Sequence, residues 1–226
     1  MRIWDVHPGY LDRQRLLGEH RELHGVVSIV NKDLSGYAVH PETRRWVGCG
    51  WALRHRHRLL AQEMSFRGYR DRTPVRLRSS PGHWPSTFID TPGEQFTLLA
   101  AKYRGASAGR IPLPRTSHEL WSHHKYSVLA RDQAAYRALG RRVGALRGRE
   151  GFKDLALELT NWLRTPPTAG NLQNALRHMA GHLVAQLDPR CTTTAGRMRA
   201  LERQAAAERE PYLLTQTALT ELSVWR

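Results

Sequence analysis

Wound at about 100° per residue, Leu16, Leu23, Val26, Val27 and Val30 fall within one arc about 100° wide. A helical period held across the first thirty residues makes that stretch an amphipathic helix with a face for a core, and excludes a strand. Pro8 suits the start of such a helix, where its missing N–H would be unpaired anyway. A second arc of similar width gathers Gln14, Gly18, Arg21, Glu22 and Gly25. Two glycines inside a helix weaken it by roughly 1 kcal/mol each. They leave either a shallow trough flanked by Gln14, Arg21 and Glu22, or a solvated face where another element packs closely.

The rest of the chain repeats the helical signal. Trp51, Leu53, Leu59, Leu60 and Met64 have helical spacing, and Arg67-Gly68 supplies a natural stop near Phe66. Ser35-Gly36-Tyr37 and His40-Pro41 punctuate a loop, and Pro41-Glu42-Thr43 opens the next helix. Residues 73–93, with Pro74, Pro81, Pro85 and Pro92, read as an extended connector before a short helix at 93–104. The Gly105–Gly109 stretch and Ile111-Pro-Leu-Pro114 form the best boundary, separating domains at 1–112 and 117–226. Beyond it helices are expected at 117–130, 132–147, 151–164, 170–187 and from about 195 to the end, with Thr168 or Asn171 as a cap. Strand-like alternation never lasts more than a few residues, so the fold class is mostly α: an N-terminal helical domain followed by a C-terminal helical bundle.

Charge narrows the function. Among 226 residues the formal net charge is +15, and four lysines stand against 31 arginines. The planar guanidinium fork binds phosphate, so this excess suits nucleic acid. Arg54-His-Arg-His-Arg58 packs five potential cations into two turns, a density that an anionic backbone would relieve; the alternatives are a solvated surface, or Arg56 or His55 facing inward. Arg44, Arg45, Arg70 and Arg72 extend that track. Apolar runs are far too short for a membrane span, and the N-terminus lacks the apolar core of a secretory signal. A cytoplasmic, nucleoid-associated protein is expected, with no membrane partner. Cys49 and Cys191 make neither a disulfide framework nor a metal array. His178 and His182, at i and i+4, could meet His123 or His124 at a metal, but no carboxylate cluster completes the set. Neither metal nor cofactor is expected.

Met1-Arg2-Ile3, then Asp12-Arg-Gln-Arg-Leu-Leu-Gly-Glu-His-Arg-Glu-Leu23, and Arg67-Gly-Tyr69 at a helix end, resemble the pyrimidine-dimer DNA glycosylase (endonuclease V) family. The resemblance is good over residues 1–76 and looser over 77–112. It implies a glycosylase with AP-lyase activity on UV-induced pyrimidine dimers in double-stranded DNA, and base excision repair as the setting. The family's N-terminal amine attacks C1′, forms a Schiff base and breaks the strand by β-elimination. An α-amine has a reference pKa of about 7.7–8.0 against about 10.4 for lysine, so far more of it is nucleophilic at neutral pH. The resemblance makes the Met1 amine the nucleophile, with initiator methionine retained before the bulky Arg2, and Glu22 the residue that manages protons at the sugar. It assigns Arg2 and Arg21 to phosphates and Gln14 to the head of the helix. Arg15, Arg54, Arg56, Arg58, Arg67 and Arg70 complete the expected DNA-binding set. Arg15 stands where the phage member has histidine, and Gly25 where it has a phosphate-binding arginine. That member's aromatic tail has no clear counterpart; Trp51, Trp84 and Tyr103 are candidates for stacking or for packing.

His124-Lys125-Tyr126, Tyr136-Arg-Ala-Leu-Gly140, Leu163 through Thr168 and Asn174 through Gly181 resemble a bacterial helical domain of unknown function, also found fused to a thiouracil desulfurase. That resemblance spans about 117–226 and suggests a polar pocket around Lys125 and Asn174. Two alternatives to dimer repair stand beside it: a non-enzymatic nucleic-acid-binding protein on the same scaffold, or a glycosylase for another modified base.

Overall fold

Asp12, not Pro8, starts the first long helix. Its carboxylate accepts the Arg15 N–H at 2.7 Å, a cap that proline cannot supply, and α1 runs Arg13–Lys32. Pro8–Tyr10 form a separate 3-10 turn capped by the His7 ring. The computed structural model describes residues 2–32, 39–77, 81–103, 108–188 and 190–225. Met1, the Ser35-Gly36-Tyr37 loop and residues 105–107 of the expected boundary lie outside them.

α2 (Pro41–Arg45), α3 (Gly50–Phe66) and α4 (Pro92–Lys102) follow, then α5 (Ser117–Leu129), α6 (Gln133–Gly144), α7 (Phe152–Leu163) and α8 (Ala169–Ala180). All the described secondary structure is helical. The helix expected at 170–187 stops early, at Gly181. The one expected from 195 to the end is broken. α9 (Thr194–Glu208) ends at Arg209 in the left-handed region, and Pro211 opens α10 (Pro211–Leu214). α11 (Ala218–Glu221) and a 3-10 turn at Leu222–Val224 complete the chain.

The expected core face of α1 is inside: Leu16, Leu23 and Val26 are fully buried, with Val27 and Val30 packed at the edge. Their cluster does not stop at the 112–117 link. It continues through Leu53, Leu60 and Leu99 to Leu120, Leu139, Leu155 and Leu159, because α7 packs on both α4 and α5. A second cluster, around Tyr126, Leu129, Met179, Leu201 and Leu213, fills the C-terminal half. Gly109 sits where a Cβ would lie 2.5 Å from the Gly9 carbonyl oxygen, so only glycine lets the chain dock on the N-terminal turn.

The C-terminal segment folds back onto α3 through buried charge. Glu63 accepts from Arg67 at 2.8 Å, from Arg110 at 2.9 and 2.7 Å, and from the Thr220 hydroxyl at 2.9 Å. Burial alone would raise this carboxyl, but Arg110 and Arg67 hold it well below the usual carboxylate range. A depressed folded-state value means the stabilisation is complete above the unfolded value, 4.5, and is lost as pH falls through the folded one. Stability measured by urea unfolding is therefore expected to drop as pH falls below 4.5. Glu63→Gln should be less stable at neutral pH and lose part of that acid dependence.

Candidate active site

Residues 2–6 have no regular secondary structure, so their backbone groups need other partners. Side chains from four helices supply them. Glu22 accepts the Arg2 N–H, Arg45 donates to the Ile3 carbonyl at 2.8 Å, and Glu19 accepts the Trp4 N–H at 3.2 Å. Gln95 accepts the Asp5 N–H at 2.8 Å, and Arg56 donates to the Val6 carbonyl at 2.9 Å. The Asp5 carboxylate is gripped in turn by Arg45, Arg164 and Gln95. The N-terminal segment is thus threaded between α1, α2, α3 and α4 with little freedom left.

That threading builds a cleft of about 350 Å³ lined by Arg2, Trp4, Gln14, Arg15, Gly18, Glu19, Arg21, Glu22 and Lys102. The second arc of α1 is its floor. Among the described residues, a Cβ on Gly18 or Gly25 would meet nothing within 4 Å, so the glycines open a trough there. Of the two glutamates at the cleft, Glu19 is engaged: Arg56 holds it through a two-pronged pair at 2.7 and 2.8 Å. Burial pushes the Glu19 carboxyl up, and Arg56 opposes that. Glu22 is half-buried, and its described partner is the Arg2 N–H.

The expected DNA-binding residues divide. Gln14 and Arg21 are exposed at the cleft. Arg2 pairs with Asp90, and Arg15 pairs with Asp12 beneath the Tyr103 ring. Arg58 and Arg70 are exposed, whereas Arg54 donates to the Leu77 carbonyl at 3.0 Å.

Four basic residues lie away from the expected DNA contacts, two of them, Arg56 and His55, on the inward side that the sequence left open. Arg56 is not on a phosphate track; it is buried with Glu19. It shares the inward face of α3 with Leu53, Leu60 and Glu63, at the i, i+3, i+7 and i+10 spacing of a buried stripe. His55 is also inside, against Trp51 and Trp225, and burial drives its pKa down to about 3, so it adds no charge. Arg67 is anchored to Glu63 and to the carbonyls of Leu11, Pro8 and Gly9, where it closes the N-terminal turn. Arg45 likewise leaves the track for Asp5 and Glu42.

Arg56→Ala should therefore act on folding. It leaves the Glu19 carboxylate buried and uncompensated, a cost of about 3–5 kcal/mol. Arg58→Ala, on the exposed side of the same helix, should stay within about 0.5 kcal/mol of the parent. Chemical denaturation of the two variants side by side checks this.

The aromatic candidates are packed. Trp84 donates to the Arg164 carbonyl at 3.0 Å, Tyr103 donates to the Tyr10 carbonyl at 2.9 Å, and Trp51 stacks on His55. In the C-terminal half His123 and His124 face Tyr10, while His182 bonds the Tyr126 hydroxyl at 2.9 Å. His178 faces the Tyr126 ring, and the four histidines do not form a ligand set. Lys125 lies over Tyr126 and Tyr212, and a cavity of about 190 Å³ between α8 and α9 is lined by neither Lys125 nor Asn174.

No curated protein and no solved structure matches the chain. Among the described residues, no helix is long and apolar enough to cross a membrane. Two family models do match: one described as pyrimidine dimer DNA glycosylase, and one as a protein of unknown function (DUF1722). The first covers the N-terminal segment and α1 to α3, but not Gln95 of α4; the second starts within α5 and ends within α9. The pyrimidine dimer DNA glycosylase model matches residues 1–77, and the DUF1722 model matches residues 125–198.

Proposed function

We propose that this protein is a DNA glycosylase with AP-lyase activity, acting on UV-induced pyrimidine dimers through a Schiff base on its N-terminal amine. The observation that carries the reading is the Glu22 carboxylate receiving the Arg2 N–H at the floor of an open cleft. The α-amine is one residue from that N–H, about 3.8 Å along the chain between Cα atoms. The amine lone pair adds to C1′, and the glycosidic bond breaks with its electrons leaving on the pyrimidine. As the sugar opens to the imine, the amine gives up two protons, one to the departing pyrimidine and one to the ring oxygen; Glu22 carries them. Loss of a C2′ proton then expels the 3′ phosphate, breaking the C3′–O bond. Arg21 and Gln14 hold the strand at the mouth, with Lys102 on the same rim.

Nicking of UV-irradiated plasmid tests the reading, with undamaged plasmid as the control. Cleavage confined to the irradiated form is the expected result; a gel shift without cleavage would favour the non-enzymatic binder. Affinity should fall with salt, each phosphate contact adding about 0.9 to the logarithmic slope on duplex DNA. Arg21→Ala is expected to remove about one such contact, read from binding isotherms across a salt series.

A further inference from the structure

α1 presents a second constellation on the side roughly opposite Glu22. His20 and His24, one turn apart, meet His57 of α3 and Asp71, which follows the turn that ends α3. One ligand atom from each of the four lies within 4.8 Å of all the others. The imidazole rings are 4.8 to 5.0 Å apart, centre to centre. His20 Nε2 and His57 Nε2 lie 3.3 and 3.5 Å from the two Asp71 oxygens, yet both nitrogens are buried without a hydrogen-bond partner. Leaving two buried ring nitrogens unsatisfied costs free energy with no structural return.

His24 Nε2 meets the Thr73 hydroxyl at 3.1 Å, so the three imidazoles gather around the Asp71–Thr73 turn. Asp71 is oriented as an outer partner would orient a ligand: the Thr73 N–H and hydroxyl both donate to its Oδ1 at 2.9 Å.

We infer that His20, His24, His57 and Asp71 form a binding site for one transition-metal ion, with zinc as the best fit. Three nitrogens and one oxygen suit a tetrahedral zinc ion, whose bonds to histidine are about 2.0–2.1 Å. Magnesium and calcium want oxygen ligands and are disfavoured by the imidazoles. Four protein ligands close the coordination sphere, which makes the site structural. It clamps α1 to α3 and to the segment at Asp71, and so holds steady the helix whose other face carries Gln14, Arg21 and Glu22. The site stands whatever reaction that other face performs.

The test uses the full chain, stripped with a chelator and then titrated with zinc or cobalt(II) alone. We expect uptake of one equivalent, the intense visible absorption of tetrahedral cobalt, and a rise in Tm of roughly 5–10 °C at zinc a hundredfold above its Kd. His57→Ala and Asp71→Asn should weaken zinc binding roughly a hundredfold or more, whereas His178→Ala with His182→Ala should leave it unchanged. Uptake well below one equivalent by the stripped parent chain, or the weak spectrum of octahedral cobalt, would overturn the site without any variant. So would unchanged zinc affinity in a folded His57→Ala protein.

Discussion

Glu22→Gln is expected to cut cleavage of UV-irradiated DNA by at least about a hundredfold, the usual worth of a positioned proton carrier, while leaving DNA affinity near the parent value. The change is confined to charge and proton capacity. A glutamine oxygen can still accept the Arg2 N–H, so the N-terminal segment should remain threaded and the Tm close to unchanged. Glu19→Gln is the informative contrast. Glu19 lines the same cleft but is bound to Arg56, so its loss should appear in denaturation. Parent-like cleavage by Glu22→Gln would remove the residue from the mechanism.

An N-terminal extension should be as damaging as that substitution. One extra residue moves the α-amine by up to about 3.8 Å, more than a forming covalent bond tolerates. The backbone cannot slide to compensate, because residues 2–6 are held by Glu22, Arg45, Glu19, Gln95 and Arg56 at successive positions. An N-terminal tag is therefore expected to abolish strand cleavage, and the same tag after Arg226 to leave it intact. Full activity with a blocked terminus would contradict the amine as nucleophile even if repair of damaged DNA survived.

What the sequence shows plainly is whatever a single helix carries. The apolar arc of α1, its Gln14-to-Gly25 trough and the stop at Phe66 are local patterns, and each has its counterpart in the structure. The basic run at 54–58 leaves open which of its residues face inward, because a count of charge carries no phase. Arg56 and Glu63 occupy the buried stripe of α3, where a charged residue is tolerated only with a partner, and Glu19 and Arg110 are those partners. The spacing contained that signal; the identity of the partners, tens of residues away, was not legible. The histidine cluster shows the same limit. His20 and His24 have the same i, i+4 spacing as His178 and His182, but only the packing of α1 on α3 decides which pair gains a third imidazole and a carboxylate. The boundary near residue 112 follows from glycine and proline content, whereas the shared core depends on α7 meeting α4 across it.

A covalent link between the terminal amine and DNA can be trapped. Borohydride reduction during turnover of UV-irradiated DNA, followed by peptide mapping of the trapped adduct, measures it directly. The competing amines are four lysines, of which Lys32 and Lys102 belong to the N-terminal half. Lys102 is the critical control, because it lines the same cleft as Glu22. Reduced deoxyribose is expected on the N-terminal peptide, with Met1 retained, and the same adduct is expected to form in Lys102→Ala. An adduct on Lys102 or Lys32, or irradiated DNA cleaved with nothing trapped, would contradict the terminal amine as nucleophile.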